Sequence, residues 1–244
     1  MSAHRRLRIT ESHGAVEVTL DRAAERNAID AQMIAELHAV CEELERHPRP
    51  AIITGGADGV FASGADIAQL RERGRDDALA AINLTLFNRV RALPMPTIAA
   101  VDGYALGGGA ELTYACDMRI ATPRTVFGQP EPQLGIIAGA GATYRLVRLI
   151  GASLAKQILL AVVQISAQRA LELGLVHSIV EPPQLLDAAR QLAAQILRSS
   201  AIAIRMSKLA IDAAPRGAPA DRPRHPGDVV RGRRKVPPHG RIPE

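Results

Sequence analysis

The stretch Ala99–Leu112, A-A-V-D-G-Y-A-L-G-G-G-A-E-L, decides how the chain is read. Thr97–Val101 is an apolar run of the kind a buried strand presents. Three consecutive glycines, Gly107, Gly108 and Gly109, separate it from a helix-compatible segment that carries one acid, Glu111. Glycine has no Cβ, so a ligand atom can come close to its N–H. A helix that begins there aims unpaired N–H groups and its positive dipole end at that ligand. The stretch therefore proposes a site for negative charge developing on oxygen, with a carboxylate at its edge.

Outward from this stretch, strand-like and helix-like segments interleave, which predicts an α/β fold. Leu7–Thr10 and Ala15–Leu20 read as strands around a His13-Gly14 turn, with Val16, Val18 and Leu20 alternating. Asp30 is placed to cap a helix running to about His47, with an apolar face of Met33, Ile34, Leu37, Val40, Cys41 and Leu44. Ala51–Thr54, Met118–Ala121 and Val176–Val180 read as further buried strands. Gly55–Asp66 and Phe127–Gly141 read as loops. Helices are predicted over Ile67–Val90 with a charged break at Arg71–Asp77, and over Ala142–Ile150, Leu154–Val162, Ala167–Leu173, Pro182–Arg198 and Ala201–Ala214.

The 244 residues, 47% hydrophobic and 23% charged, suit one globular domain with or without an appendage. No apolar run reaches the ~20 residues of a membrane span. The start, M-S-A-H-R-R-L-R, has no apolar segment behind its basic residues. Cys41 and Cys116 fall at core positions and read as small buried hydrophobes of a reducing compartment, so a cytoplasmic location is expected. The net charge of +5 sits in residues 215–244, which hold seven Arg and one Lys against Asp221, Asp228 and Glu244. That stretch also holds seven Pro and four Gly and shows no pattern that could bury a face, so it reads as a disordered tail. With the charge confined to it and 2% aromatics, nucleic-acid binding is a weak reading.

Two acids lie in apolar or glycine-rich surroundings. One is Glu111; the other is Glu131, held between Pro130 and Pro132. Such settings move a carboxyl pKa towards neutrality, where acid–base catalysis works best. On spacing alone the plainer reading, a surface carboxylate or helix cap, leads for each. Asp66 reads equally as a cap for the next helix, Asp117 as a structural tie, His177 as a strand or surface residue, and Arg145 and Arg148 as solvated helix residues. Gly139-Ala140-Gly141 lacks the third glycine and preceding strand of a dinucleotide loop. The seven histidines show no metal-ligand spacing, so no metal is expected.

Five stretches together resemble the enoyl-CoA hydratase/isomerase (crotonase) family. They are Arg26-Asn27-Ala28-Ile29, Phe61–Ile67 (F-A-S-G-A-D-I), Asp102–Leu112, Phe127–Glu131 (F-G-Q-P-E), and Leu134-Gly135 with Gly139–Gly141. Ser166–Val180 is similar to the family as well. The resemblance implies a spiral of repeated ββα units, comprising residues 1–198, with 199–214 a remnant of a C-terminal helical region. It implies an acyl-CoA thioester as substrate and no separate cofactor, coenzyme A being part of the substrate. The backbone N–H groups of Ala65 and Gly108 would form an oxyanion hole, and Glu111 and Glu131 would be catalytic. Arg26, Asn27, Ala28, Asp66, Ile67 and Gly107 would join Ala65 and Gly108 in binding substrate. Two glutamates favour hydration of a 2-enoyl-CoA to a 3-hydroxyacyl-CoA, with Glu131 giving a proton to the α carbon and Glu111 orienting the water. The alternatives are an isomerase or another acyl-CoA lyase of the family, an inactive relative, or an RNA-binding protein with a basic tail. A homotrimer or dimer of trimers is also implied.

The Pro/Arg-rich stretch departs from the family, which continues with amphipathic helices. A one-base frame shift across Pro219–Glu244, with Arg codons beginning in C, permits H-P-L-I-D and later L-F-E followed by E-K-F-R-R-M-A-E-F-L. A natural extension is the alternative, and the nucleotide sequence distinguishes them. Without such helices, apolar surface on Pro182–Ala214 is expected to lack cover.

Overall fold

Val16, Val18 and Leu20 turn into the core from β2 (Ala15–Leu20), which pairs antiparallel with β1 (Leu7–Ser12). His13 and Gly14 make the turn at φ +50° and +81°. The computed structural model describes residues 6–214, apart from 57, 73 and 75–79. The Pro/Arg-rich stretch, with its reading-frame question, and most of the predicted break at Arg71–Asp77 lie outside the described residues.

Beyond the hairpin the chain repeats one step. A strand enters a large sheet, a short strand enters a small one, and a helix returns. The large sheet runs β1-β2-β3-β5-β7-β10, with β3 Ala51–Thr54, β5 Thr97–Val101, β7 Met118–Ala121 and β10 Ser178–Ile179. All its pairings after the first are parallel. The small sheet runs β4-β6-β8-β9, with β4 Val60–Ala62, β6 Tyr104–Leu106, β8 Val126–Gly128 and β9 Ile165–Ser166. Here β4, β6 and β8 are parallel and β9 is antiparallel. This is the expected spiral of ββα units.

The large sheet is covered on both faces. On one, Ile52, Ile98, Ala100 and Ile120 meet Leu185, Ala189 and Ala193 of α8 (Leu185–Leu197). On the other, Val18, Ile53, Ala99 and Val101 join the main core with α1 (Ala31–Arg46). Burial on both faces is why Thr97–Val101 reads as an unbroken apolar run rather than an alternating one. Helix α1 begins as predicted, Asp30 Oδ1 accepting the Met33 N–H at 2.8 Å, and buries the six apolar residues expected of it.

The predicted helix over Ile67–Val90 is two helices, α2 (Ile67–Glu72) and α3 (Ile82–Ala92). Helix α4 (Gly108–Ala115) is buried throughout. Then follow α5 (Ala142–Ile150), α6 (Ala152–Leu160), α7 (Ala167–Glu172), α8 and α9 (Ala201–Ala213). The first predicted loop contains β4 and the second begins within β8, three-residue strands too short to show alternation in sequence. The chain up to Ala213 is one compact unit. The expectation of uncovered apolar surface holds for α9, which buries no residue and exposes Ile202, Met206 and Leu209 by 73%, 59% and 60%. It does not hold for α8, whose apolar face is seated on the sheet.

Asp117 is a structural tie, as the sequence predicts. Its Oδ2 accepts from the Thr97 N–H at 2.7 Å and from Lys208 Nζ at 2.5 Å, joining the start of β5 to α9. His177 sets Nδ1 against the Arg119 N–H at 3.1 Å.

Candidate active site

Strand β6 ends at Leu106, and Gly107 turns the chain into α4 at φ +51°, ψ −127°. A side chain is disfavoured at that angle, and there is no room for one. A Cβ on Gly107 would stand 2.8 Å from Glu131 Oε1. Gly109 is equally tight, because a Cβ there would meet the Ala62 carbonyl oxygen at 2.3 Å. The glycines thus let α4 start against β4 and let the Glu131 carboxylate approach the helix N-terminus.

The Ala65 nitrogen faces the same place, 3.4 Å from where a Gly108 Cβ would lie. A parallel bridge aims it there. The Ile29 N–H donates to the Gly64 oxygen at 2.8 Å and the Asp66 N–H to the Ile29 oxygen at 3.0 Å, so the intervening Ala65 N–H points away from the bridge. Among the described residues the Ala65 N–H has no acceptor. The Ala65 nitrogen and the start of α4 at Gly108, which belong to separate loops, therefore lie side by side.

The Arg26–Ile29 turn secures this loop. Arg26 and Asn27 are both left-handed, at φ +53° and +54°. The Asn27 amide is buried and fully engaged. Its Nδ2 donates to the carbonyls of Gly55, Val60 and Phe61 at 2.9, 3.0 and 3.1 Å, and its Oδ1 accepts the Arg22 N–H at 2.9 Å. Arg26 is exposed and its carbonyl accepts the Ser63 N–H at 3.0 Å. Ala28 gives its carbonyl to Arg22. Asp66 caps α2 through the N–H groups of Ala68 and Gln69, and pairs with Arg22 at 2.9 Å. That guanidinium bond holds the Asp66 carboxyl below its ordinary range. Ile67 is half exposed beside it.

Glu111, one turn into α4, is 2% exposed. Its Oε1 accepts the N–H groups of Ala140 and Ala142, both at 2.9 Å. Burial raises its pKa to about 7; the two N–H bonds oppose the rise and the neighbouring Glu131 adds to it. Glu131 opens a 3-10 turn (Glu131–Leu134) after Pro130 and is buried. Desolvation raises its pKa too. The fully buried Gln129, its –NH2 turned towards Glu131, donates to Oε1 at 3.1 Å and Oε2 at 2.9 Å. The tertiary fold thus brings together the four groups predicted from separate stretches, Ala65, Gly108, Glu111 and Glu131.

Two features of the site have no signal in the sequence. Gln129 is the residue two before Glu131, and only the structure shows its amide gripping that carboxylate. Arg145, read as solvated, is 2% exposed, because α5 turns it inward under the Gly139–Gly141 loop; Arg148 is exposed as expected. Cys41 and Cys116 are free and buried, and burial pushes both thiols up to about 12, which favours the neutral thiol at neutral pH. Among the described residues no group of three His, Cys, Asp or Glu could hold a metal ion, and no helix is long and apolar enough to cross a membrane.

Comparison with known proteins agrees with this geometry. The family model described as enoyl-CoA hydratase/isomerase matches residues 10–223. The short-chain-enoyl-CoA hydratase of Clostridium acetobutylicum is 39% identical over 211 residues, 84% of this chain and 80% of that protein. The crotonyl-CoA hydratase of Syntrophomonas wolfei is 39% identical over 195 residues, 78% and 75% of the two chains. The crystal structure of an enoyl-CoA hydratase from Bacillus anthracis superposes with a TM-score of 0.82 at 34% identity, covering 85% of this chain and 83% of that one. By sequence, fold and the arrangement around Gly107, the chain belongs to the enoyl-CoA hydratase/isomerase family.

Proposed function

We propose that this protein hydrates the double bond of a 2-enoyl-CoA thioester to give a 3-hydroxyacyl-CoA. The observation that carries this reading is the pair of buried glutamates beside the adjacent Ala65 nitrogen and Gly108 helix start. The thioester oxygen accepts from Ala65 and Gly108 N–H as charge moves onto it. Each such donor is worth ~2.7–4 kcal/mol in a transition state.

Glu111 commits Oε1 to the two backbone donors, which leaves Oε2 to orient a water. The water oxygen bonds to the β carbon as one of its O–H bonds breaks. Glu131, in its neutral form, gives a proton to the α carbon, and the proton lost by the water ends on the carboxylate pair. The pair thus begins and ends each turnover with one proton. Burial raises both carboxyl pKa values, that of Glu111 to about 7, which favours retention of a proton on the pair.

The turn at Arg26–Ala28 and the Asp66–Ile67 edge are proposed to border the coenzyme A portion. A homotrimer is proposed as well, supported by the exposed row Ile202, Met206 and Leu209 on α9. The free thiols Cys41 and Cys116 support residence in a reducing compartment such as the cytoplasm.

The test follows the conjugated-thioester absorbance of crotonyl-CoA and of a long-chain enoyl-CoA. Loss of absorbance with formation of the 3-hydroxyacyl product is expected with at least one of them. A shift of the double bond without added water would overturn hydration in favour of isomerisation.

A further inference from the structure

Arg145 is the largest of the fully buried side chains in the described part of the molecule, 2% exposed. Among the described residues no carboxylate lies within ion-pair distance of it. A buried cation without a direct ion-pair partner is costly. Its contacts show where the charge is directed. Nη1 donates to the Ala140 carbonyl at 2.7 Å, and Nη2 donates to Asn88 Oδ1 at 2.6 Å. Its Nε has no partner. Ala140 is the residue whose own N–H donates to Glu111 Oε1. The next residue, Gly141, is left-handed at φ +118°, and a Cβ there would stand 2.0 Å from Nη1, so the loop leaves room for the guanidinium.

We propose that Arg145 is a positioning residue for Glu111: by holding the Ala140 carbonyl it fixes the Ala140 and Ala142 N–H groups that orient the carboxylate, with Asn88 of α3 steadying the guanidinium. This deepens the hydratase reading and rests on it for the catalytic consequence. The positional claim stands on the hydrogen bonds alone. Tyr144, with its ring 5.0 Å from the guanidinium carbon and its hydroxyl on Asn88 at 2.9 Å, completes the support.

The charges near the pair are few. Glu111 faces Glu131 from the 3-10 turn, Tyr114 from its own helix and Arg145 from α5; Arg145 also senses Arg91 of α3 and Arg148 and Tyr144 of α5. The Arg145 charge favours the ionised form of Glu111 against its desolvation.

The experiment compares the full chain with Arg145→Met, which keeps length without charge, and Arg145→Lys, which keeps charge without the fork. Crotonyl-CoA hydration is measured from pH 5.5 to 9. In parallel the Glu111 carboxyl is titrated by 13C NMR of protein labelled in its glutamate carboxyls, with the signal assigned through Glu111→Gln. Arg145→Met is expected to lower kcat about tenfold or more with little change in KM. It should also move the Glu111 titration upwards, and Arg145→Lys should return the titration towards the parent value. If Arg145→Met loses activity while the Glu111 titration stays put, the residue serves packing only and the proposal is overturned. Should Arg145→Met fail to fold, Arg145→Lys still decides it. That variant must lower kcat by loosening the Ala140 loop, and full parent activity sinks the idea. A parent protein that does not hydrate crotonyl-CoA or longer enoyl-CoA instead counts against the hydratase reading, while the NMR titration continues to test Arg145.

Discussion

The Glu131 carboxylate occupies the space that a side chain on Gly107 would need, its Oε1 lying 2.8 Å from the position of a Gly107 Cβ. One of the two acids of the site thus sits where it does because the residue before α4 has no side chain.

Gly107→Ala should therefore act on Glu131. The new methyl group displaces the carboxylate from Gln129, and alanine is strained at φ +51°. A kcat loss of about 10²-fold is expected, with stability falling by roughly 1–3 kcal/mol. Steady-state kinetics and urea unfolding check the two effects. Unchanged kcat would separate Glu131 from the chemistry.

Glu131→Gln removes the proton donor and sets an amide against the Gln129 amide. Hydration is expected to fall by about 10²–10⁴-fold. Near-normal turnover in this variant would exclude Glu131 as the acid that protonates the α carbon.

Stability should fall as pH rises towards neutrality. The Glu111 pKa is raised from 4.5 to about 7 in the fold. Between these values the native state holds a proton that the unfolded chain has released, so unfolding gains favour with rising pH. Its contribution is whole below pH 4.5 and is lost as pH passes through 7. The difference is on the order of 3 kcal/mol. Glu131 moves in the same direction. Urea midpoints at pH 5 and pH 8 should show the decline, and Glu111→Gln should flatten it. A midpoint that rises over this interval in the parent and not in Glu111→Gln would contradict the sign.

Asn27→Ala removes an amide shared among the carbonyls of Gly55, Val60 and Phe61, two of these contacts being buried, and leaves alanine at φ +54°. Each orphaned group costs about 1–3 kcal/mol. Thermal unfolding should show a large drop in midpoint. At permissive temperature kcat should fall as well, since the turn holds the loop that aims the Ala65 N–H.

Replacing Ile202, Met206 and Leu209 together by Glu should abolish the proposed trimer while leaving helical content intact. Sedimentation velocity reads the first and circular dichroism the second. A monomeric parent protein would remove the assembly from consideration.

The chain itself carried most of the architecture and the identity of the four central groups. Val16, Val18 and Leu20 mark a half-buried strand, and the six apolar residues from Met33 to Leu44 mark a helix face. Both patterns have a period that survives in one dimension. Gly107–Gly109 before Glu111 announces a helix start open to a ligand. Resemblance of five stretches then supplied Ala65 and Glu131, which spacing alone did not distinguish from a loop residue and a surface acid. The three-residue strands β4, β6 and β8 left no readable pattern, because their pairing depends on neighbours more than 20 residues away.

Tertiary structure alone decided how these groups are tuned. That Arg145 is buried and Arg148 exposed follows from how α5 docks, and both lie on the same predicted helix. That Asn27 spends its amide on three carbonyls, that Gln129 grips Glu131, and that Glu111 titrates near neutrality all depend on which atoms surround a side chain after folding. Sequence determines periodicity, chain turns and the chemical kind of each group. Burial and hydrogen-bond partners, which set the charge and position of that group, come from residues distant in the chain and exist only once it has folded.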